Sequence, residues 1–456
     1  MTLDNFLATA EVSNDGWPWT TSARAPDVIE RQYPVAYASA FGVQRGLSID
    51  SEGANRSVNV AYPTLAEREA ANPFTTQDPD VLPGQTDVAA PDGPDNEVNT
   101  GYLWDAAVRA NLTVRNYGFF IDATRYFTTT NAIPPIEDPA SVGLPVAFPA
   151  NATLASRTDQ YFRGFDNAFP DYYRYAEWAR EFDDGFFVPA DRPAAPEGKP
   201  DAEPSARVPV PRDPHPRSAG LPSLSLVRFM HDHTGSFSTA IDGLKTPELQ
   251  VADNDYAVGL LVQKIATSPY ANNTLIFVIE DDAQDGGDHV DSHRTVAFVA
   301  GAFAKQGVVV STPYNTIDFV RTIEEVLGLP PLNLNDALAR PMADIFNTTP
   351  SAWSFTATPS ALLYNSGVNL PLPPQPSGLA VPKPAHGAGY WARVTQGMDF
   401  SSEDRVDPAG FNRILWKGLM GDKPYPASQT GKDLRCNRAE LLTRYRQSLG
   451  SAAQQR

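Results

Sequence analysis

Three observations predict an α/β fold with a largely parallel sheet. The runs "TLIFVIE" (Thr274 to Glu280) and "TVAFVAG" are apolar at nearly every residue, as strands covered on both faces are. Before and after them lie amphipathic stripes at helical spacing: Ala257, Leu260, Leu261 and Ile265, then Ile317, Val320, Ile323 and Leu327. From Ser223 onward the order is strand, helix, strand, strand, helix, the alternation of an α/β core.

The elements follow in chain order. "LDNFLATAEV" (Leu3 to Val12) reads as a strand that delivers Ser13 to a turn-prone Asn-Asp-Gly and a helix-like run into "ARAPDVIE". Ser51 to Asn99, rich in Pro, Asp, Asn and Gly, reads as a surface excursion. A short helix is expected over Leu103 to Ala110 and a strand over Thr113 to Ile121. Proline-punctuated chain follows to Ala150, then a helix from Pro170 to Phe182 and a proline-rich connector from Pro189 to Pro222. Ser223 to Met230 is a strand running into "HDHTGS". Thr312-Pro313 is read as the opening of the helix that stops at Gly328 and Pro330. A polar helix is expected near Arg438 to Leu449. The domain reading is a core of residues 1–50, 100–125 and 220–350, insertions at 51–99 and 126–219, and an irregular extension at 351–456.

Composition narrows the function classes. A net charge of −18 lacks the basic footprint that nucleic-acid binding requires, and it disfavours an anionic membrane surface. No apolar run approaches the roughly 20 residues that span a bilayer. The single cysteine, Cys436, excludes an internal disulfide and a thiolate metal cluster. "MTLDNFLATAEVS" has no positive n-region or long apolar stretch, so no signal peptide is visible. Forty-two prolines and 31 glycines point to long irregular connections.

Four of the six histidines, His231, His233, His289 and His293, fall at or just after the ends of predicted strands. Asp232 sits between the first two, and Asp281 and Asp282 directly follow Glu280. Ligands of open α/β sheets gather outside the carboxyl ends of the strands. Imidazole and carboxylate without thiolate suit Zn²⁺ or Mn²⁺, and carboxylate-heavy sets suit Ca²⁺ or Mg²⁺. A lone Asp pair after a strand ordinarily makes an Asx turn. Two such loops separated by one helix and one strand converge on the same edge, which favours a metal site. Asp253 and Asp255, placed at a helix start, read as structural. Ser13 reads as a turn residue or as a nucleophile held near backbone N–H groups. Trp17, Trp19, Trp104 and Tyr117 read as pocket walls or as core.

Together, "LDNFLATAEVSNDGWPWT", "YLWDAAVRANLTVRNYGFF", "HDHTGS", Val251 to Gly301 and "STPYNTIDFVRTIEEVLGLPPLNLNDALARPM" resemble a phosphoesterase family of the alkaline phosphatase superfamily. That family includes bacterial phospholipase C and acid phosphatase enzymes. Val251 to Gly301 resembles in particular the domain that some bacteria fuse behind a YVTN-type β-propeller, and no propeller repeat is present here. The resemblance implies a three-layer α/β/α core with long irregular insertions and hydrolysis of a small-molecule or lipid phosphate ester. It implies Ser13 as nucleophile and Asp281, Asp282, Asp232, His233 and His293 as ligands of divalent ions (Zn, Mn or Ca). His289 would be a further ligand or the acid that protonates the leaving group. The resemblance also implies export to a periplasmic or extracellular location. The family begins with a buried strand carrying an acidic ligand, and none precedes Leu3. The sequence therefore reads as lacking its first strand, or as a degraded member that serves as a cation- or surface-binding module.

Overall fold

The computed structural model describes residues 1–10, 13–26, 61–62, 64–71, 91–97, 100–121, 136–183, 220–283, 294–400, 406 and 408–425. The strands are β1 (Thr2–Leu7), β2 (Val114–Tyr117), β3 (Leu224–Val227), β4 (Leu275–Ile279), β5 (Arg294–Gly301), β6 (Val309–Val310) and β7 (Tyr314–Asn315). The helices are α1 (Ser13–Ser22), α2 (Leu65–Ala71), α3 (Leu103–Arg109), α4 (Asp171–Asp183), α5 (Pro247–Ala266), α6 (Thr316–Leu327), α7 (Leu334–Leu338), α8 (Ala388–Val394) and α9 (Pro408–Met420).

The fold is mixed α/β, but its sheet is not largely parallel. The main sheet runs β4-β5-β1-β6, with β7 also on β1, and β2-β3 forms a separate two-stranded sheet. β5 is antiparallel to both β4 and β1, whereas β1 is parallel to β6 and β7, and β2 to β3. The cause is legible in the connection. A parallel return needs a crossover, usually a helix, and the acidic, glycine-bearing stretch after Glu280 carries no helical stripe. "TVAFVAG" accordingly comes back antiparallel.

The main core gathers Leu3, Phe6, Trp17, Tyr102, Trp104, Phe120, Val299, Phe319 and Val320. Trp17 stands edge-on to Phe119 at 4.6 Å, and Tyr102 stacks on Trp104 at 4.3 Å, so aromatic contacts lock α1 against the α3–β2 segment. A second cluster packs Tyr117, Phe162, Trp178 and Ile265 around α4 and α5. Trp104 and Tyr117 are thus core residues, while Trp17 is both core and cavity wall. In the 351–456 stretch, α8 and α9 enclose Trp391 and Phe411 with Phe237. The helix expected at Arg438 to Leu449 lies outside the described residues.

Helix starts follow capping chemistry. Thr246, with Pro247 in the first turn, accepts from Leu249 N at 3.3 Å and opens α5, six residues before the position expected for Asp253. α6 opens at Asn315, which accepts from Ile317 N and Asp318 N while Asp318 reaches back to Asn315 N. Thr312 instead bonds Asp344 at 2.6 Å, and Tyr314 pairs with β1.

The α6–α7 junction predicts a pH effect. Leu332 N donates to Glu324 at 3.2 Å and to Asp336 at 2.6 Å, and burial beside Asp336 pushes the Glu324 carboxyl up to about 9. Glu324 therefore keeps its proton in the fold, whereas the unfolded chain loses it near 4.5. Stability is fully present below that value and declines as pH rises towards 9, by up to about 1.4 kcal/mol per pH unit. Glu324→Gln mimics the protonated carboxyl. Its unfolding free energy is expected to match wild type near pH 4 and to exceed it by about 2 kcal/mol at pH 8, measured by urea titration at both values.

Candidate active site

β1 and β4 bring their following loops side by side, with Ala283 N donating to Ala10 O at 3.3 Å. α1 then starts at Ser13, which is 4% exposed, and Ser13 Oγ donates to Asp282 Oδ2 at 3.0 Å. The first residue of a ten-residue helix lies among unpaired backbone N–H groups and the positive end of the macrodipole, where an anion is favoured.

Gly16 makes this approach possible. A Cβ there would meet Asp281 O at 2.6 Å and Asp281 C at 2.9 Å. Gly16→Ala improves helix propensity by up to about 1 kcal/mol, yet it must push α1 away from the Asp281–Asp282 loop. On the nucleophile reading of Ser13, the variant should fold and lose at least about tenfold in turnover, measured beside its melting temperature.

The "HDHTG" loop is held from below. Asp171, at the start of α4, accepts from Met230 N and His231 N at 3.0 and 2.8 Å, and Gln250 accepts from Gly235 N at 2.8 Å. His231 is fully buried, with Nδ1 at 2.7 Å from Asp253 Oδ2 and Nε2 at 3.1 Å from Asn167 O. Burial alone would lower its pKa, but the hydrogen bond and charge of Asp253 raise it overall. Asp253 also accepts from Asp171 N at 2.6 Å and Tyr172 N at 3.2 Å, capping α4 from a neighbouring helix. Asp253 is therefore structural, although it lies within α5 rather than at its start.

One ligand atom each from Asp171, His231 and Asp253 lies within 4.8 Å of the others, and this buried group could hold a metal ion. A metal there would have to displace the hydrogen bonds that position α4 and the loop.

The loop turns Asp232 into the main cavity. Asp232 lies deep in the molecule, yet its side chain is exposed to the cavity. Burial, together with the charges of Glu280, Asp171 and Asp281, pushes its carboxyl up to about 7. Glu280 is likewise raised, first by burial and then by Asp281, against a hydrogen bond from Thr295. Carboxylates that raise one another in this way are a donor set that a divalent cation would stabilise.

Ser13, Asp232, His233, Asp281 and Asp282 thus line one cavity of about 1690 Å³. His233 stands edge-on to Phe165 at 5.3 Å, and its carbonyl accepts from Asn167. His289 and His293 lie outside the described residues. Reading the sequence missed Arg228, which is 7% exposed and sits over the rings of Trp17 (4.7 Å) and Phe165 (5.6 Å) in the same cavity. Its signal was a lone cation in the strand that leads into "HDH". Asn254 was also missed; it donates to Asp171 at 3.0 Å and lies 3.5 Å from Asp232.

Among the described residues, no helix is long and apolar enough to cross a membrane. No protein-family model and no curated protein sequence matches the chain.

Proposed function

We propose that this chain is a metal-dependent phosphoesterase with a three-layer, alkaline-phosphatase-like core, acting on mono- or diesters of small molecules or lipids. The observation that carries the reading is Ser13 at a helix N-terminus, 3.0 Å from Asp282, with Asp281 and Asp232 in the same cavity. Asp281, Asp282 and Asp232 would hold divalent ions (Zn, Mn or Ca), with His233 and His293 completing the set. Bound ions would supply a lowered pKa for the Ser13 hydroxyl and neutralise charge on phosphate.

The chain's own residues do the rest. Asp282 orients Ser13 Oγ, and the α1 amides and the Arg228 guanidinium face the phosphate. Ser13 Oγ passes its proton to Asp282 Oδ2 and forms a bond to phosphorus as the ester oxygen leaves, with His289 donating the leaving group's proton. Water then releases phosphate from Ser13. By the same reading the protein is exported.

A second reading, a phosphoesterase fold used as a cation- or surface-binding module, is favoured by Val251, Val296, Phe298, Val326 and Phe355, each 41–49% exposed and lining the same cavity. Chelator-stripped protein, refilled separately with Zn²⁺, Mn²⁺ and Ca²⁺, is expected to hydrolyse an aryl phosphate monoester or diester with at least one metal. Absence of turnover with every metal, alongside retained metal binding, would favour the module.

A further inference from the structure

β2 is buried at all four of its residues although it reads Val-Arg-Asn-Tyr. A guanidinium inside the molecule needs a carboxylate, and α4 supplies it. Arg115 donates to Glu181 through Nε, at 3.0 Å, and through Nη2. Tyr117 Oη donates to the same carboxylate at 2.6 Å. One turn earlier on α4, Glu177 accepts from Arg180 Nε at 2.9 Å and from its Nη2. Each of these arginines thus has a glutamate of its own.

Asp159 is the carboxylate left over. It lies in the chain between β2 and α4, is 2% exposed, and is seated on β2 by a bond from its N–H to Asn116 O at 2.9 Å. Its Oδ1 accepts from Tyr161 N at 2.7 Å and Phe162 N at 3.2 Å, whereas Oδ2 is buried without a donor. The Arg180 guanidinium stops 3.9 Å away, while Glu177 comes within hydrogen-bond reach of the Asp159 side chain. Two carboxylates can bond each other only through a proton. Tyr117 and Trp178 belong to the apolar cluster around α4 and α5, so the neighbouring charges are weakly screened.

Among the described residues, the charged and titratable groups that face Asp159 are Glu177, Arg180 and Glu181 from α4 and Arg115 and Tyr117 from β2. With Asp159 itself, three carboxylates meet two guanidinium groups, and one proton balances the set. Burial and then the Glu177 charge push the Asp159 carboxyl up to about 7. Glu181 is pushed as high, by burial and then by Asp159. A proton on Glu181 would weaken its pair with Arg115, whereas a proton on Asp159 removes the push on Glu181 and supplies the missing donor. The proton therefore belongs on Asp159.

We infer that Asp159 stays protonated in the fold and donates to Glu177, forming a proton-held clasp between α4 and the segment that leads to it. When the proton leaves, a third buried carboxylate faces Glu177 with no cation of its own. The unfolded chain releases that proton near 3.8. The clasp's contribution is therefore fully present below that value and is lost as pH rises through about 7. α4 opens with Asp171, which accepts from Met230 N and His231 N, so the clasp fastens the far end of the helix that supports the "HDHTG" loop. The inference does not depend on the phosphoesterase reading.

Asp159→Asn tests it on the full chain. Asparagine keeps a donor for Glu177 and an acceptor for the Tyr161 and Phe162 amides, but it has no proton to lose. Each proton released on unfolding changes the unfolding constant by up to about tenfold per pH unit. In urea titrations between pH 4 and pH 8, the wild-type constant is expected to rise at least about tenfold relative to that of Asp159→Asn. A ratio that stays constant over this range would overturn the inference. Carbon-13 titration of the assigned Asp159 carboxyl in the wild-type chain decides the matter even if the variant fails to fold. A midpoint near 7 supports the clasp, and a midpoint near 4 overturns it.

Discussion

Ser13→Ala is expected to abolish phosphate ester hydrolysis, lowering kcat on the order of a thousandfold or more while leaving the fold intact. Among the described residues, Ser13 makes one side-chain hydrogen bond, to Asp282 Oδ2, so its removal costs little packing. On the proposed mechanism, the other groups of the cavity assist an attack made by Ser13. KM should then change far less than kcat, because the groups proposed to bind phosphate, the α1 amides and Arg228, are untouched. Steady-state kinetics with the metal-loaded enzyme, beside circular dichroism, would check both points. A variant retaining a tenth of wild-type kcat would remove Ser13 from the mechanism.

Asp253→Ala should be the most destabilising single change near the site, by about 3–5 kcal/mol in urea unfolding. Asp253 accepts from Asp171 N, Tyr172 N and His231 Nδ1. Truncation leaves the buried His231 Nδ1 and two N–H groups at the start of α4 without the carboxylate they meet. Asp253→Asn keeps an acceptor for α4 and should recover part of the loss. Equal losses in the two variants would show that the carboxylate charge, which both remove, outweighs the packing and the acceptor that Asn keeps.

Parts of this molecule were legible from residue spacing. The helix from Pro170 to Phe182 agrees with α4 to within a residue at each end, and Leu103 to Ala110 with α3 to within one. β4 and β5 fall where the apolar runs are. Strand direction was not legible from periodicity, because an apolar run looks the same in either orientation. Only the stretch after Glu280, whose sequence carries no helical stripe, held that information. Thr246-Pro247 opens a helix, whereas Thr312-Pro313 does not. The difference lies in Asn315 and Asp318, whose reciprocal bonds out-compete an earlier start.

The candidate site was legible in its carboxylates and serine but not in its supports. Ser13, Asp232, Asp281 and Asp282 meet because separate loops converge at neighbouring strand ends. Arg228 and Asn254 act through three-dimensional neighbours that no short motif announces. Gly16 read as a turn residue, and only the approach of Asp281 shows why a side chain is excluded there.

The central claim is that Asp281 and Asp282, rather than Asp171, His231 and Asp253, form the cation site. Calorimetric titration of metal-stripped protein with Zn²⁺ or Mn²⁺ tests it without requiring turnover. Wild type and Ser13→Ala should bind, and the double variant Asp281→Asn, Asp282→Asn should bind at least about a hundredfold more weakly while remaining folded. Undiminished binding in that double variant would contradict the assignment and move the metal to the buried group beneath the "HDH" loop.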